Sequence, residues 1–219
     1  MKLYGYWRSS SAWRVRIALG LKGIKHDYEA VHLAREGGQQ NQAPFTAKNP
    51  QAQVPVLELD ARPGEASPRR ITQSMAILEF LEEHFPTPPL LPADPWLRAR
   101  ARQLAEVVNS GIQPYQNMPL LNYVKDVLGG DELAAARLFN HRGLTALETL
   151  ARETAGKFLV GDAPTFADVY LVPQMYSARR FSVDVTGFPT LLRVETACAA
   201  LPAFHAAHPD QQADKPATG

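Results

Sequence analysis

Sulfur is scarce in this chain. Cys198 is its only cysteine, so no intrachain disulfide can form, and no cysteine-rich metal site either. It lies in an apolar helical stretch, which suits a small buried hydrophobe. A reducing, cytoplasmic setting is expected. Long apolar runs are absent as well, so no membrane-spanning helix is expected. The opening Met1-Lys2-Leu3-Tyr4 has no basic segment followed by an apolar one, so no signal peptide is expected. An excess of one charge is also missing. Residues 1–85 hold 11 Lys and Arg against 9 Asp and Glu, the remainder 12 against 13, for a net charge of +1. Neither part is a basic module, so neither nucleic acid nor a membrane surface is expected as a partner. His26, His32, His84, His141, His205 and His208 show no metal-ligand spacing, so no metal is expected.

What the chain does have is proline, 18 of them, mostly between periodic segments. Residues 2–7 read as a strand. Three serines follow, and then a helix in which Trp13, Ile17 and Leu21 recur at i, i+4 and i+8. Serine is a preferred N-cap, but one would suffice for that. Three hydroxyls at a helix start, beside Arg8, Arg14 and Arg16, make an anion-binding turn. A second strand is expected over 25–33, a loop with a short helix over 34–49, a strand over 56–59 behind Val54-Pro55, and a short antiparallel strand over 70–72. Gln73-Ser74 opens a helix. The order βαβ then ββα marks a thioredoxin-like α/β domain over 1–85. Prolines at 86, 88, 89, 92 and 95 form a stiff linker, and an all-helical domain is expected over 91–208. The tail, 209–219, offers no apolar anchor and is expected to be flexible.

These motifs resemble the cytosolic glutathione transferases, and within them the zeta-class, maleylacetoacetate-isomerase type. The carriers are Arg8-Ser9-Ser10-Ser11-Ala12-Trp13-Arg14-Val15-Arg16, Asn49-Pro50 with Gln53-Val54-Pro55, Gln73-Ser74, Gly111-Ile112-Gln113-Pro114 with Gln116-Asn117, and Gly161-Asp162 with Thr165-Phe166-Ala167-Asp168. The zeta motif reads Ser-Ser-Cys-Ser-Trp-Arg. Here Ser11 stands at the cysteine position and Ala12 at the following serine. Related maleylpyruvate isomerases also lack that cysteine, so the substrate stays open between the two. The turn over 61–68 is longer than is usual in the family.

The resemblance implies reduced glutathione (GSH) as cofactor and a set of roles. Val54 would pair with its backbone beside a cis Val54–Pro55 bond. Gln73 and Ser74 would hold its γ-glutamyl carboxylate, and Gln40, or else Gln39, its glycyl end. A hydroxyl of Ser9, or of Ser10, would stabilise the thiolate, and Ser11 could donate too. Gln113 and Asn117, expected on the first long helix of the second domain, would face the cleft. Arg8 and Arg180, with Arg179 next door, would bind the carboxylates of a dicarboxylate substrate. The implied reaction is cis–trans isomerisation of maleylacetoacetate by reversible thiolate addition, in aromatic amino-acid catabolism, by a homodimer. Conjugation or dehalogenation of α-halo acids needs the same thiolate, and a non-catalytic glutathione-binding protein is the alternative outside enzymology. Thr165 and Asp168 have capping-box spacing and read as structural.

Overall fold

The computed structural model describes residues 1–61 and 63–216. The chain divides into two compact units, Met1–Pro88 together with the segment from Pro202 onward, and Pro89–Leu201.

The first unit is the expected α/β layer. Among the described residues its strands are β1 (Lys2–Gly5), β2 (Asp27–Ala30), β3 (Val56–Leu59) and β4 (Arg69–Thr72), in the order β2-β1-β3-β4. β1 runs parallel to β2 with Leu3 opposite Tyr28, and antiparallel to β3 with Leu3 opposite Leu57. β3 and β4 are antiparallel, with Leu57 opposite Ile71. The helices are α1 (Ser10–Leu21), the single turn α2 (Ala43–Thr46) and α3 (Ser74–His84).

α1 begins two residues before the expected start, because Ser9 caps it: its Oγ accepts the Ala12 N–H at 3.2 Å. Every residue of α1 from Ala12 to Leu19 is buried. A helix enclosed on all sides shows little of the one-sided periodicity of a surface helix, and its polar residues, Arg14 and Arg16, must find partners inside. α3 packs against α1, burying Ile77, Leu78 and Leu81.

The C-terminal segment departs from expectation. It does not extend the helical domain to 208. From Pro202 it belongs to the first unit, where α9 (Pro202–Ala207) packs on α1. Residues 209–216 are held by Pro209, buried at the start of a 3-10 turn over Pro209–Gln211, and by Asp214 on the Trp7 amide. Residues 217–219, and Arg62 in the long β3–β4 turn, lie outside the described residues.

The second unit is helical: α4 (Pro95–Asn109), α5 (Met118–Asp126), α6 (Glu132–Ala151), α7 (Phe166–Arg180) and α8 (Pro189–Ala199). Asp94 caps α4 through the Leu97 N–H at 2.8 Å, and Asp131 caps α6 through Leu133 and Ala134. α7 is the core helix, packed by α4 and α8. At its start Asp168 accepts the Thr165 N–H at 2.7 Å, the Thr165 hydroxyl at 3.0 Å and the Leu159 N–H at 2.8 Å. The capping box is therefore structural, as expected. Burial pushes the Asp168 carboxyl up to about 6 while those three donors pull the other way. Cys198 is fully buried, and burial pushes its thiol up, so it is an inert core residue.

Candidate active site

The first unit contains a cleft lined by Ser11, Asn49, Gln53, Val54, Pro55, Gln73 and Ser74. Three chain segments build it. The first turn of α1 contributes Ser11. Asn49, 3% exposed, shapes the second segment: its Nδ2 donates to the Gln53 carbonyl at 2.7 Å and its Oδ1 accepts the Gln51 N–H at 3.1 Å. That clamp delivers Val54 to the cleft, followed by a cis peptide bond to Pro55. Neither the amide nor the carbonyl of Val54 is hydrogen-bonded to another described residue. Buried backbone groups are nearly always paired, so this edge fits the backbone of an extended peptide.

The third segment is the start of α3. Gln73 holds a left-handed backbone, φ 69°, at a residue that is not glycine. Such strain, on the order of 1 kcal/mol or more, collects at ligand sites. Its Nε2 donates to Gln51 Oε1 at 2.6 Å. Ser74 is 4% exposed. The first backbone bond of α3 runs from the Ile77 N–H to the Gln73 carbonyl, so the Met75 and Ala76 amides precede the helical ladder, as at any helix start. Behind them lies a buried cation: Arg14, 0% exposed, donates from Nη1 to Ser74 Oγ at 3.2 Å. A helix N-terminus, a hydroxyl and a guanidinium together favour a carboxylate.

Ser11, Val54, Gln73 and Ser74 therefore meet, whereas Ser9 and Ser10 do not line this cleft. Ser9 is the cap of α1 and Ser10 its first residue. The Ser9 oxygen accepts from Ala12, which leaves its proton to donate elsewhere. Arg8 is exposed and lies over the Trp7 ring, 5.1 Å from its centroid. Gln39 is committed to the fold, its Oε1 accepting the His32 N–H at 2.8 Å. Gln40 makes a long contact, Nε2 to the Leu33 carbonyl at 3.4 Å, and its Oε1 is buried with no hydrogen-bond partner among the described residues.

In the helical unit the expected placement of Gln113 and Asn117 needs correction. α4 stops at Asn109. Gln113 opens a 3-10 turn and Asn117 caps α5, because Gly111 and Pro114 interrupt the helical pattern. Arg180 ends α7, with its guanidinium 5.8 Å from the Phe181 ring centroid. Arg179 is taken by Glu195 in a two-pronged ion pair, with Nη1 to Oε1 at 2.6 Å. Sequence reasoning gave no role to Asn49 or Gln53, although both stood inside the quoted motif. It counted Arg14 among the charges of the serine turn, whereas the structure puts its Nη1 on Ser74 at the start of α3.

The family model for the glutathione S-transferase N-terminal domain matches residues 1–83, and that for the glutathione S-transferase C-terminal domain matches residues 131–202. The chain is similar to maleylacetoacetate isomerase of Rattus norvegicus, at 45% identity over 98% of this chain and 95% of the relative. It is also similar to maleylpyruvate isomerase of Ralstonia sp., at 44% identity over 98% of this chain and 99% of the relative. A solved structure of maleylacetoacetate isomerase from Anaeromyxobacter dehalogenans 2CP-1, with bound GSH in the active site, superposes with a TM-score of 0.89. It is 55% identical and covers 98% of this chain and 97% of that one.

Proposed function

Because the chain belongs to the glutathione S-transferase family, we propose that it is a glutathione-dependent cis–trans isomerase whose substrate is maleylacetoacetate. One observation carries this reading beyond the names of its relatives. The unpaired backbone of Val54, beside a cis proline, shares a cleft with a hydroxyl at each of two helix starts. That donor set fits a peptide with a carboxylate at one end and an anionic sulfur at the other.

Val54 would pair with the peptide backbone. Gln73, Ser74 and the first amides of α3 would hold the γ-glutamyl carboxylate, with Arg14 behind them, and Gln40 the glycyl end. Ser9, Ser10 and Ser11 would place hydroxyl protons toward the sulfur and hold its charge. Bound glutathione supplies a thiolate able to add reversibly to a conjugated cis double bond. Arg8 is the first cation for the substrate's carboxylates. Gln113, Asn117 and Arg180 enter this reading through the resemblance alone. The same reading takes the protein as a cytoplasmic homodimer in aromatic amino-acid catabolism. A single buried cysteine suits a reducing compartment. Trp96 and Met118, each 65% exposed, offer apolar surface that a second copy would cover.

Maleylpyruvate is the second reading, favoured by Ser11 at the cysteine position of the zeta motif. The test is turnover of both substrates, with and without glutathione, by the wild type and Ser9→Ala. Loss of maleylacetoacetate that needs glutathione but does not consume it supports the first reading. Turnover of maleylpyruvate alone replaces it with the second. Turnover of neither refutes both.

A further inference from the structure

The turn that carries Ser9 is held from behind by the far end of the chain. Arg16, 5% exposed, points back under that turn. Its Nη2 donates to the Trp7 carbonyl at 2.9 Å, its Nη1 to the Tyr6 carbonyl at 3.4 Å and its Nε to the Ala207 carbonyl at 3.1 Å. The Tyr6 carbonyl is also the acceptor of the Ser9 N–H, at 3.0 Å. On the other side of the same residue pair, the Trp7 N–H donates to Asp214 Oδ2 at 2.8 Å. The Tyr28 hydroxyl reaches that oxygen at 3.4 Å. Both peptide groups flanking Trp7 are thus fixed by a side-chain charge, one residue before Arg8 and two before Ser9.

The C-terminal segment is built to deliver Asp214 there. α9 packs on α1, and a Cβ on Gly20 would come within 3.2 Å of Ala203. The His208 ring stands edge-on to Trp13, 5.1 Å between centroids. Gln212 Nε2 donates to the carbonyls of Ala206 and His208, and Lys215 pairs with Asp210 at 2.7 Å. Tyr28 crosses β1 where Gly5 leaves room: a Cβ there would lie 3.0 Å from its ring. Burial lowers Arg16 to about 10, with the negative charge of Asp214 acting against it, so Arg16 remains a cation at neutral pH. A tether that only held down the tail would not need a buried cation and a carboxylate converging on the backbone of a single turn.

We propose that Arg16 and Asp214 are positioning residues for the Ser9 turn, so that the C-terminal segment sets the hydroxyl geometry that stabilises the thiolate. The proposal rests on the glutathione reading above. It concerns a group of this chain far from the cleft in sequence, acting through backbone placement. Hydrogen bonds to a charged acceptor lose strength steeply with distance and angle, so a small shift of this turn changes the sulfur's acidity before it changes the fold.

The test is a pH titration of glutathione bound to the full chain, read by the ultraviolet absorbance of the thiolate. It compares the wild type, Asp214→Ala, Asp214→Asn and a chain ending at Ala213. The wild type lowers the thiol pKa below that of free glutathione. Asp214→Ala returns it upward by about one unit, about a tenfold loss of thiolate at a pH below both values. Asp214→Asn keeps an acceptor for the Trp7 N–H and restores most of the shift. The chain ending at Ala213 removes the same carboxylate and gives the same upward return of the thiol pKa, which supplies the readout where Asp214→Ala does not fold. Titrations of the folded variants that overlay the wild type, even with a lowered Tm, overturn the proposal and leave Asp214 a mere tether. A wild type that binds no glutathione, or binds it with an unshifted thiol, refutes the functional reading, and this one falls with it.

Discussion

The two units bury charge of opposite kinds. Among the described residues, the α/β unit buries Arg14, Arg16 and Lys22, with Glu82 as the buried acid, whereas the helical unit buries Asp168 and Glu148, with Arg100 as the buried cation. Their partners differ too. Arg14 meets a hydroxyl and Arg16 meets carbonyls, while Lys22 is paired with Glu82 at 2.7 Å and donates to the carbonyls of Phe85 and Pro88. The helical unit aims its acids at helix starts. Asp168 caps α7, and Glu148 accepts the Thr190 and Leu191 amides at the start of α8 and pairs with Arg152. Burial pushes Glu148 up, but those donors outweigh it and hold the carboxyl below its usual value. The remaining buried polar residues described there are neutral, among them a hydrogen-bonded cluster of Gln116, Asn140 and Gln174. Interior charge is thus placed by task. Arg14 donates to the Ser74 hydroxyl that lines the cleft, and its positive charge favours an anionic ligand there. Acids at helix starts serve the fold.

That contrast predicts effects that separate by unit. The largest is Asp168→Ala, which strands the buried amides of Thr165 and Leu159. Stability in urea falls by about 3–5 kcal/mol, while the folded fraction binds glutathione as before. Equal losses of both would break the contrast. Next comes pH. The folded Asp168 carboxyl titrates near 6 and the unfolded one near 4. Between those values the folded chain holds the extra proton. The stabilisation from this group is therefore full below about pH 4 and lost as pH rises through about 6, a change on the order of 3 kcal/mol. Asp168→Asn removes it, so the difference between the two unfolding curves across that window is the readout.

Arg14→Met is the counterpart in the other unit. Replacing a buried ion by an apolar side chain of similar size is often neutral for stability, but here it weakens glutathione binding about tenfold, or ~1.4 kcal/mol by calorimetry. A stability loss with unchanged affinity would assign Arg14 to the fold and erase the distinction. Ser74→Ala is the smallest, about 1 kcal/mol of binding, because the helix start remains.

The same contrast explains what the sequence made legible. β3 was expected over 56–59 and is found there, since a proline boundary and an apolar run are local signals. The serine turn, Val54–Pro55 and Gln73-Ser74 are also local, and the structure brings Ser11, Val54, Gln73 and Ser74 to one cleft. The tail was not legible. It looked unanchored because its apolar hold is a single buried proline, Pro209, and its polar one is Asp214, whose partner, the Trp7 amide, lies 207 residues away. No hydrophobic pattern reports such a contact. Gln113 and Asn117 were placed on the first long helix by the resemblance, whereas that helix stops at Asn109 and Gly111 and Pro114 keep it from continuing.

The most direct measurement is an amide NMR spectrum of the protein titrated with glutathione. The account predicts saturable shifts concentrated at Val54, Ser74, Met75 and the first turn of α1, with the Val54 amide moving most as it gains its missing partner. Shifts that leave Val54 and the start of α3 unmoved would show that glutathione, if bound at all, is not held by this cleft.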